Sequence, residues 1–157
     1  MNKITREQLK ELFIYNPDTG HFLRTSSRGK WKAGERVGGI SGVGYRMINC
    51  SLGIYTEHRL AWLYMTGQWP VMIDHRNGDK TDNRWSNLRL TDKVLNGANS
   101  KKRSHNTNPF KGVKRIGSRW IARVSGTHLG SFSSPEEAHA AYIQGATDLY
   151  GDYARTS

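Results

Sequence analysis

The sequence predicts an α+β protein built from small units, and three observations predict it. Residues 71–99 read as strand, loop, strand and helix; residues 110–132 read as three short strands separated by glycine-containing turns; and Ser134-Pro135-Glu136-Glu137 follows as a strong helix start, with a cap, a proline and first-turn glutamates. With 157 residues, 17 of them glycine, and 36% hydrophobic content, the cores are small and each unit is marginally stable alone.

Taken in order, Thr5-Arg6-Glu7-Gln8 has the spacing of a capping box and predicts a helix from Arg6 to about Tyr15, with Leu9, Leu12 and Phe13 on one face. Asn16-Pro17-Asp18-Thr19-Gly20 reads as a turn and His21–Arg24 as a strand. A glycine-rich basic stretch, 26–44, leads to Tyr45–Asn49, which alternates and pairs with Gly53-Ile54-Tyr55. Glu57–Met65 carries Leu60, Ala61 and Tyr64 at helical spacing and stops at Gly67. In the middle segment Val71–Asp74 is a short apolar strand, 76–84 a polar loop with Asn77-Gly78 as its sharpest turn, and Asn87–Leu90 a return strand. Thr91 is a good cap for the helix that carries Val94, Leu95 and Asn96. Residues 100–109 contain Lys101, Lys102 and Arg103, are almost free of apolar side chains, and read as a basic linker. In 110–157 the strands are Phe110–Arg115, Trp120–Ser125 and His128–Phe132, and Ala138, Ala141, Tyr142 and Gly145 form a small-residue helix face able to lie close on a sheet.

Lys and Arg number 24 against 13 acids, a formal charge of +11. Such an excess points to a polyanion, nucleic acid first and an anionic membrane surface second. No apolar run approaches the ~20 residues that span a bilayer, and no signal-peptide core opens the chain, so the expected location is the cytoplasm. The single cysteine, Cys50, excludes an intrachain disulfide and a cysteine-rich zinc site, and its apolar neighbours read as core.

The chemistry concentrates in Asp74-His75-Arg76-Asn77-Gly78 and the residues after it. Phosphodiester hydrolysis needs an activated water and a counter to the charge on the leaving oxygen. A neutral imidazole, with an ordinary pKa of ~6.5, can take the water's proton. A divalent cation can hold the phosphate, and Mg²⁺ is often held by one or two protein oxygens plus phosphate and water. Asp74 and the amide oxygen of Asn96 meet that need. Adjacent strand residues point to opposite faces, so Asp74 and His75 should not both bind one ion; one can bind metal while the other faces the attacking water, if the strand end twists. Asn87, on the return strand, is placed to hydrogen-bond the loop and fix His75. Lys80 and Arg84 are placed to meet phosphates, whereas Asp79 and Asp82 read as solvated loop acids. His58 reads either as a support for the site or as a structural histidine at a helix start. His21, His105, His128 and His139 read as surface or packing residues.

This constellation resembles the HNH endonuclease family in its cysteine-free form, common among phage and intron-encoded homing enzymes. The matching residues are Asp74-His75, Asn77-Gly78, Asn83, Asn87-Leu88-Arg89 and Asn96, with His58-Arg59-Leu60-Ala61-Trp62 and Gly67-Gln68-Trp69-Pro70 upstream. The resemblance implies a ββα-metal fold over 71–99 within a nuclease domain of 1–99. It implies His75 as general base, Asp74 and Asn96 as ligands of Mg²⁺ (or Mn²⁺), and Asn87 as loop support. The second histidine of the family name is Asn96 here.

Residues 101–123 contain eight Lys and Arg and no acid: Lys101, Lys102, Arg103, Lys111, Lys114, Arg115, Arg119 and Arg123. Laid on strands, this stripe should bind the DNA backbone with strong salt dependence. Arg119, Ile121 and Arg123 share one face and Trp120 the other, although Trp120 is also a candidate DNA contact. The segment 110–157 resembles the AP2 DNA-binding domain in Phe110-Lys111-Gly112-Val113-Lys114, Arg119-Trp120-Ile121-Ala122, Leu129-Gly130-Ser131-Phe132, Glu136-Glu137-Ala138, Ala141-Tyr142 and Leu149-Tyr150-Gly151. Arg123, Ile116 and His128 depart from that family's pattern.

Together these readings imply a DNA endonuclease of phage or mobile-element type in a bacterial cytoplasm, its partner double-stranded DNA, with neither a membrane nor a small-molecule substrate. It would act as a monomer or weak dimer, and a single site would nick. Removing 101–157 should cost affinity and spare residual cleavage. The rival readings are a non-catalytic DNA-binding regulator using the AP2-like sheet, and an RNA-binding or RNA-cutting protein.

Overall fold

The computed structural model describes residues 3–100, 108 and 110–155; Lys101, Lys102, Arg103 and most of the expected linker lie outside the described residues. The chain divides into two compact units, Met1–Asp92 and Lys93–Ser157. The fold is mixed helix and sheet, as expected for an α+β protein.

In the first unit the Thr5 capping box forms as its spacing predicts and opens α1, Arg6–Leu12. The helix stops earlier than expected. Phe13–Asn16 forms β1, antiparallel to β2, His21–Arg24. The reason is alternation: Phe13 and Tyr15 are buried while Ile14 faces out, a period of two that a helix cannot satisfy. A second sheet runs β3 (Gly39–Ile40), β4 (Arg46–Cys50) and β5 (Gly53–Thr56), with β4 and β5 paired as expected. α2, Glu57–Thr66, follows β5 directly and ends on Gly67 in the left-handed conformation. Phe22, Ile48, Leu60 and Leu63 fill the core between these layers, with Cys50 packed at its edge.

The hairpin β6 (Ile73–His75) and β7 (Leu88–Leu90) completes the unit. Val71, expected in the first of these strands, precedes it and is exposed. Asn87 sits in a 3₁₀ turn, Trp85–Asn87, just before β7.

In the second unit α3 spans Lys93–Ala98. It begins at Lys93, and the Thr91 hydroxyl bonds the Asp92 carbonyl instead of serving as the expected cap. An antiparallel sheet of β8 (Val113–Ile116), β9 (Arg119–Val124) and β10 (Thr127–Phe132) has β9 at its centre. α4, Pro135–Tyr150, is capped by Ser134 and lays Ala138, Tyr142 and Ala146 on Val113, Ala122 and Val124. The small residues let the helix approach the sheet closely, as the sequence predicts.

Candidate active site

The β6–β7 hairpin presents two adjacent polar residues in opposite directions. Asp74 pairs directly across from Arg89, and His75 from Leu88. Arg89 donates to Asp74 Oδ2 from Nε at 3.0 Å and Nη2 at 2.7 Å, and both side chains are buried. His75, 5% exposed, turns the other way into a polar and aromatic nest. Its Nε2 lies 3.1 Å from Asn83 Oδ1. Its ring lies 5.2 Å from that of His58, edge to face, and 6.1 Å from that of Tyr45.

The loop between the strands is built from side-chain-to-backbone bonds of the kind Asn and Asp favour. Gly78 N–H donates to the His75 carbonyl at 2.8 Å, closing the turn that Asn77-Gly78 signals. Asn77 Oδ1 accepts from Asp79 N–H, and Asp79 Oδ1 from the Thr81 N–H and hydroxyl. Asn87 ties the loop across its base: it accepts from Asn77 N–H and donates to Asn77 Oδ1 and the Asp82 carbonyl. Asn87 thus bonds groups of the loop, and it is Asn83 that reaches the His75 ring.

Asn83 is 1% exposed and held from three sides. Its Nδ2 donates to Glu57 Oε2 at 3.1 Å. Its carbonyl accepts from the Tyr15 hydroxyl at 2.6 Å. Gly20 packs against its backbone so closely that a Cβ there would stand 2.4 Å from the Asn83 carbonyl carbon. Glu57, fully buried at the start of α2, accepts at both oxygens from Arg46 Nε at 3.0 Å. Burial pushes the Glu57 carboxyl up, and the Arg46 guanidinium and Asn83 amide pull it back.

His58 occupies the second position of α2, also buried, with Nδ1 lacking a hydrogen-bond partner and Nε2 3.4 Å from the Thr56 hydroxyl. Burial, then the neighbouring His75 and Arg59, push its pKa down to about 3, so it is a neutral ring packed against His75 and Tyr45.

The loop cations Lys80 and Arg84, both exposed, also make bonds within the unit. Lys80 Nζ donates to the Val43 carbonyl at 3.2 Å and sits 4.8 Å from the Tyr45 ring centre, fastening the turn before β4 to the β6–β7 loop. Arg84 grips Asp82 with two bonds of 2.8 and 2.6 Å, holding that carboxyl at about 2. Asp82 and Asp79 are thus loop-building acids.

Among the described residues no group of three or more His, Cys, Asp and Glu comes together that could hold a metal by itself. The two donors expected from the sequence, the Asp74 carboxylate and the Asn96 amide oxygen, are each of the hard oxygen type that suits Mg²⁺ or Mn²⁺. Asn96 lies exposed on α3, in the second unit.

On the second unit's sheet Lys114, Arg115, Arg119 and Arg123 are exposed, with Arg119 bonded to Ser131 and Arg115 Nε to the Gly117 carbonyl. Lys114, Ile121 and Arg123 line a shallow 310 Å³ depression on the face away from α4. Two expected DNA contacts have other duties. Trp120 packs on the core side of the sheet, opposite to Arg119 and Arg123. Lys111 turns inward and donates to the carbonyls of Ala98, Ser100 and Arg155 at 2.6, 2.8 and 3.4 Å, which uses all three of its hydrogens.

Sequence reasoning gave Asn83, Glu57, Tyr45 and Arg89 no role in the site. Arg89 was within reach, because a symmetric hairpin sets it opposite Asp74. Glu57 comes from α2 and Tyr45 from the connection before β4, and no spacing rule links them to His75.

Residues 55–98 match the family model described as HNH endonuclease, a span that holds Glu57, His58, Asp74, His75, Asn83, Asn87 and Asn96. No curated protein and no solved structure gives a match. No helix among the described residues is long and apolar enough to cross a membrane.

Proposed function

We propose that the chain is a metal-dependent DNA endonuclease of the HNH homing type, with His75 as general base, Asp74 and Asn96 as ligands of Mg²⁺ or Mn²⁺, and Asn87 as loop support. One observation carries the reading most: a buried histidine held by an amide network stands beside a carboxylate facing the opposite way, at the strand end of a polar loop, inside the segment that matches HNH endonucleases.

In this reading His75 removes a proton from water, and the resulting hydroxide attacks the phosphorus in line. The bond from phosphorus to the 3′ oxygen breaks, and that oxygen leaves with the electron pair and takes a proton from solvent, giving a 5′-phosphate and a 3′-hydroxyl. A bound divalent cation supplies positive charge against the scissile phosphate and the leaving oxygen. Arg89 fixes the direction of the Asp74 carboxylate by donating twice to one of its oxygens. Asn87 keeps the loop closed beneath the site, and His58 with Tyr45 excludes water from one side of the His75 ring. The second unit, read as an AP2-like sheet backed by a helix, holds the duplex through Lys114, Arg115, Arg119 and Arg123.

Supercoiled plasmid and a library containing phage DNA are incubated with the protein in Mg²⁺ or EDTA, beside His75→Ala. Metal-dependent opening of the circle, lost in the variant while DNA binding stays within about twofold, is the expected outcome; a His75→Ala loss of at least ~100-fold in rate matches removal of a general base. Retarded but uncut DNA across the library would favour a regulator instead.

A further inference from the structure

Asn83 and Asn87 divide the work of the loop. Asn87 bonds only groups of the loop itself, whereas Asn83 links the His75 ring to a carboxylate on α2. An amide side chain has one donating end and one accepting end. The Glu57 oxygens already accept from Arg46, and a carboxylate can only accept, so Asn83 must turn its NH₂ to Glu57. Its carbonyl oxygen is then left facing His75 Nε2. A carbonyl oxygen accepts, so Nε2 carries the ring hydrogen, and the lone pair of the neutral imidazole is on Nδ1.

We infer that Glu57 is a positioning residue for His75: through the Asn83 amide it selects the imidazole tautomer whose Nδ1 accepts the proton of the attacking water. The inference rests on His75 being the base and extends that reading to a residue outside the loop.

The surroundings leave orientation as the only freedom of this chain of bonds. Tyr15 and Gly20 hold the Asn83 backbone, and a Cβ on Gly38 would stand 2.1 Å from Glu57 Oε1. Arg46, which grips Glu57, is itself bonded to the carbonyls of Val37 and Gly38. Neither the amide nor the carboxylate can slide. What decides which end of Asn83 faces His75 is whether position 57 presents an acceptor or a donor.

Glu57→Gln tests this because it preserves shape and changes only that property. Arg46 donates only, so it draws the new carbonyl oxygen to itself and leaves the new NH₂ facing Asn83. Asn83 then turns over, presents its own NH₂ to His75, and moves the ring hydrogen to Nδ1. Long-range ¹H–¹⁵N spectra of histidine-labelled, metal-free protein at about pH 8.5, where a free imidazole is neutral, read the tautomer directly.

The expected results are an Nε2–H ring in the wild type, an Nδ1–H ring in Glu57→Gln, and a fall in kcat of roughly 100-fold or more with KM for DNA within about twofold. Adding Asn83→Asp to Glu57→Gln supplies a carboxylate that accepts from both neighbours. It should return the Nε2–H tautomer and at least about tenfold of the lost rate. An Nδ1–H ring in the wild type overturns the inference without any variant. So does a folded Glu57→Gln that keeps the Nε2–H form, even if its activity falls, because Glu57 would then serve the fold alone. Failure of the wild type to cut any DNA would instead refute the nuclease reading, and the tautomer measurement would still stand by itself.

Discussion

Single side chains in the first unit are held in place by close contact. Gly38 has φ +87 and touches Glu57, so Gly38→Ala combines a left-handed backbone that costs an alanine about 1–2 kcal/mol with a clash against a fully buried carboxylate. Unfolding in urea should show a loss of about 2 kcal/mol or more, and cleavage should fall with it; a change under about 0.5 kcal/mol would mean that Glu57 has room to move. His58 makes a prediction with pH. Its folded pKa of about 3 is below the unfolded value of ~6.5, so the unfolded state binds the extra proton between those limits. The stability that comes from keeping this ring neutral is complete above about pH 6.5 and is lost as pH falls toward 3, by at most about 1.4 kcal/mol per unit. Replacing it with phenylalanine, which cannot titrate, should flatten the stability curve between about pH 6 and 4. An unchanged slope would assign the acid sensitivity to another group.

At the scale of elements, Lys111 is the instructive case. The sequence places it in a cationic stripe, yet its ammonium holds together the end of α3, the residues after it and the C-terminal end of the described chain. Burial and the nearby Arg155 lower its pKa, since leaving water and facing a like charge both disfavour the ammonium. Lys111→Met should therefore lower the melting temperature, through loss of charge-assisted bonds worth about 1.5–3 kcal/mol each, and, under the proposed role of Asn96 on α3, should weaken cleavage too. A variant of normal stability with weakened DNA binding would restore the phosphate-contact reading. The comparison shows what kind of information a sequence holds. Capping at Thr5 and Ser134, the Asn77-Gly78 turn, the β4–β5 pairing and the α4 small-residue face depend on neighbours within a few positions, and all were legible. The extent of α1, the inward turn of Lys111 and Trp120, and the bond from Lys80 to the Val43 carbonyl depend on partners set by tertiary packing, where a cation meets a carbonyl before it meets a solvent ion. His75, Asp74, Asn87 and Asn96 were legible as candidates because chemistry limits which residue types suit the reaction. Glu57 was not, since a glutamate at a helix start reads as an ordinary first-turn acid.

For the whole molecule the governing quantity is charge. A surplus of +11 favours a polyanionic partner, but several individual cations are paired within the fold: Arg46 to Glu57, Arg89 to Asp74 and Lys111 to three carbonyls. Net charge thus overstates the number of cations open to a phosphate, and under the proposed function the exposed ones are the candidates. On the second unit Lys114 and Arg123 are the clearest members, exposed on the sheet face away from α4. Each phosphate contact releases counterions and contributes a slope of about 0.9 to log affinity against log salt. The double variant Lys114→Ala/Arg123→Ala should therefore lower that slope by about 2 and weaken binding to unrelated DNA sequences alike. Because neither residue belongs to the His75 network, kcat at saturating DNA should persist while KM rises, the signature of lost uniform binding. Titrations at several salt concentrations, with cleavage measured in parallel, separate the alternatives. An unchanged slope would remove this sheet face from the DNA interface, and a fall in kcat equal to the fall in affinity would mean that the face positions the scissile phosphate as well as holding the duplex.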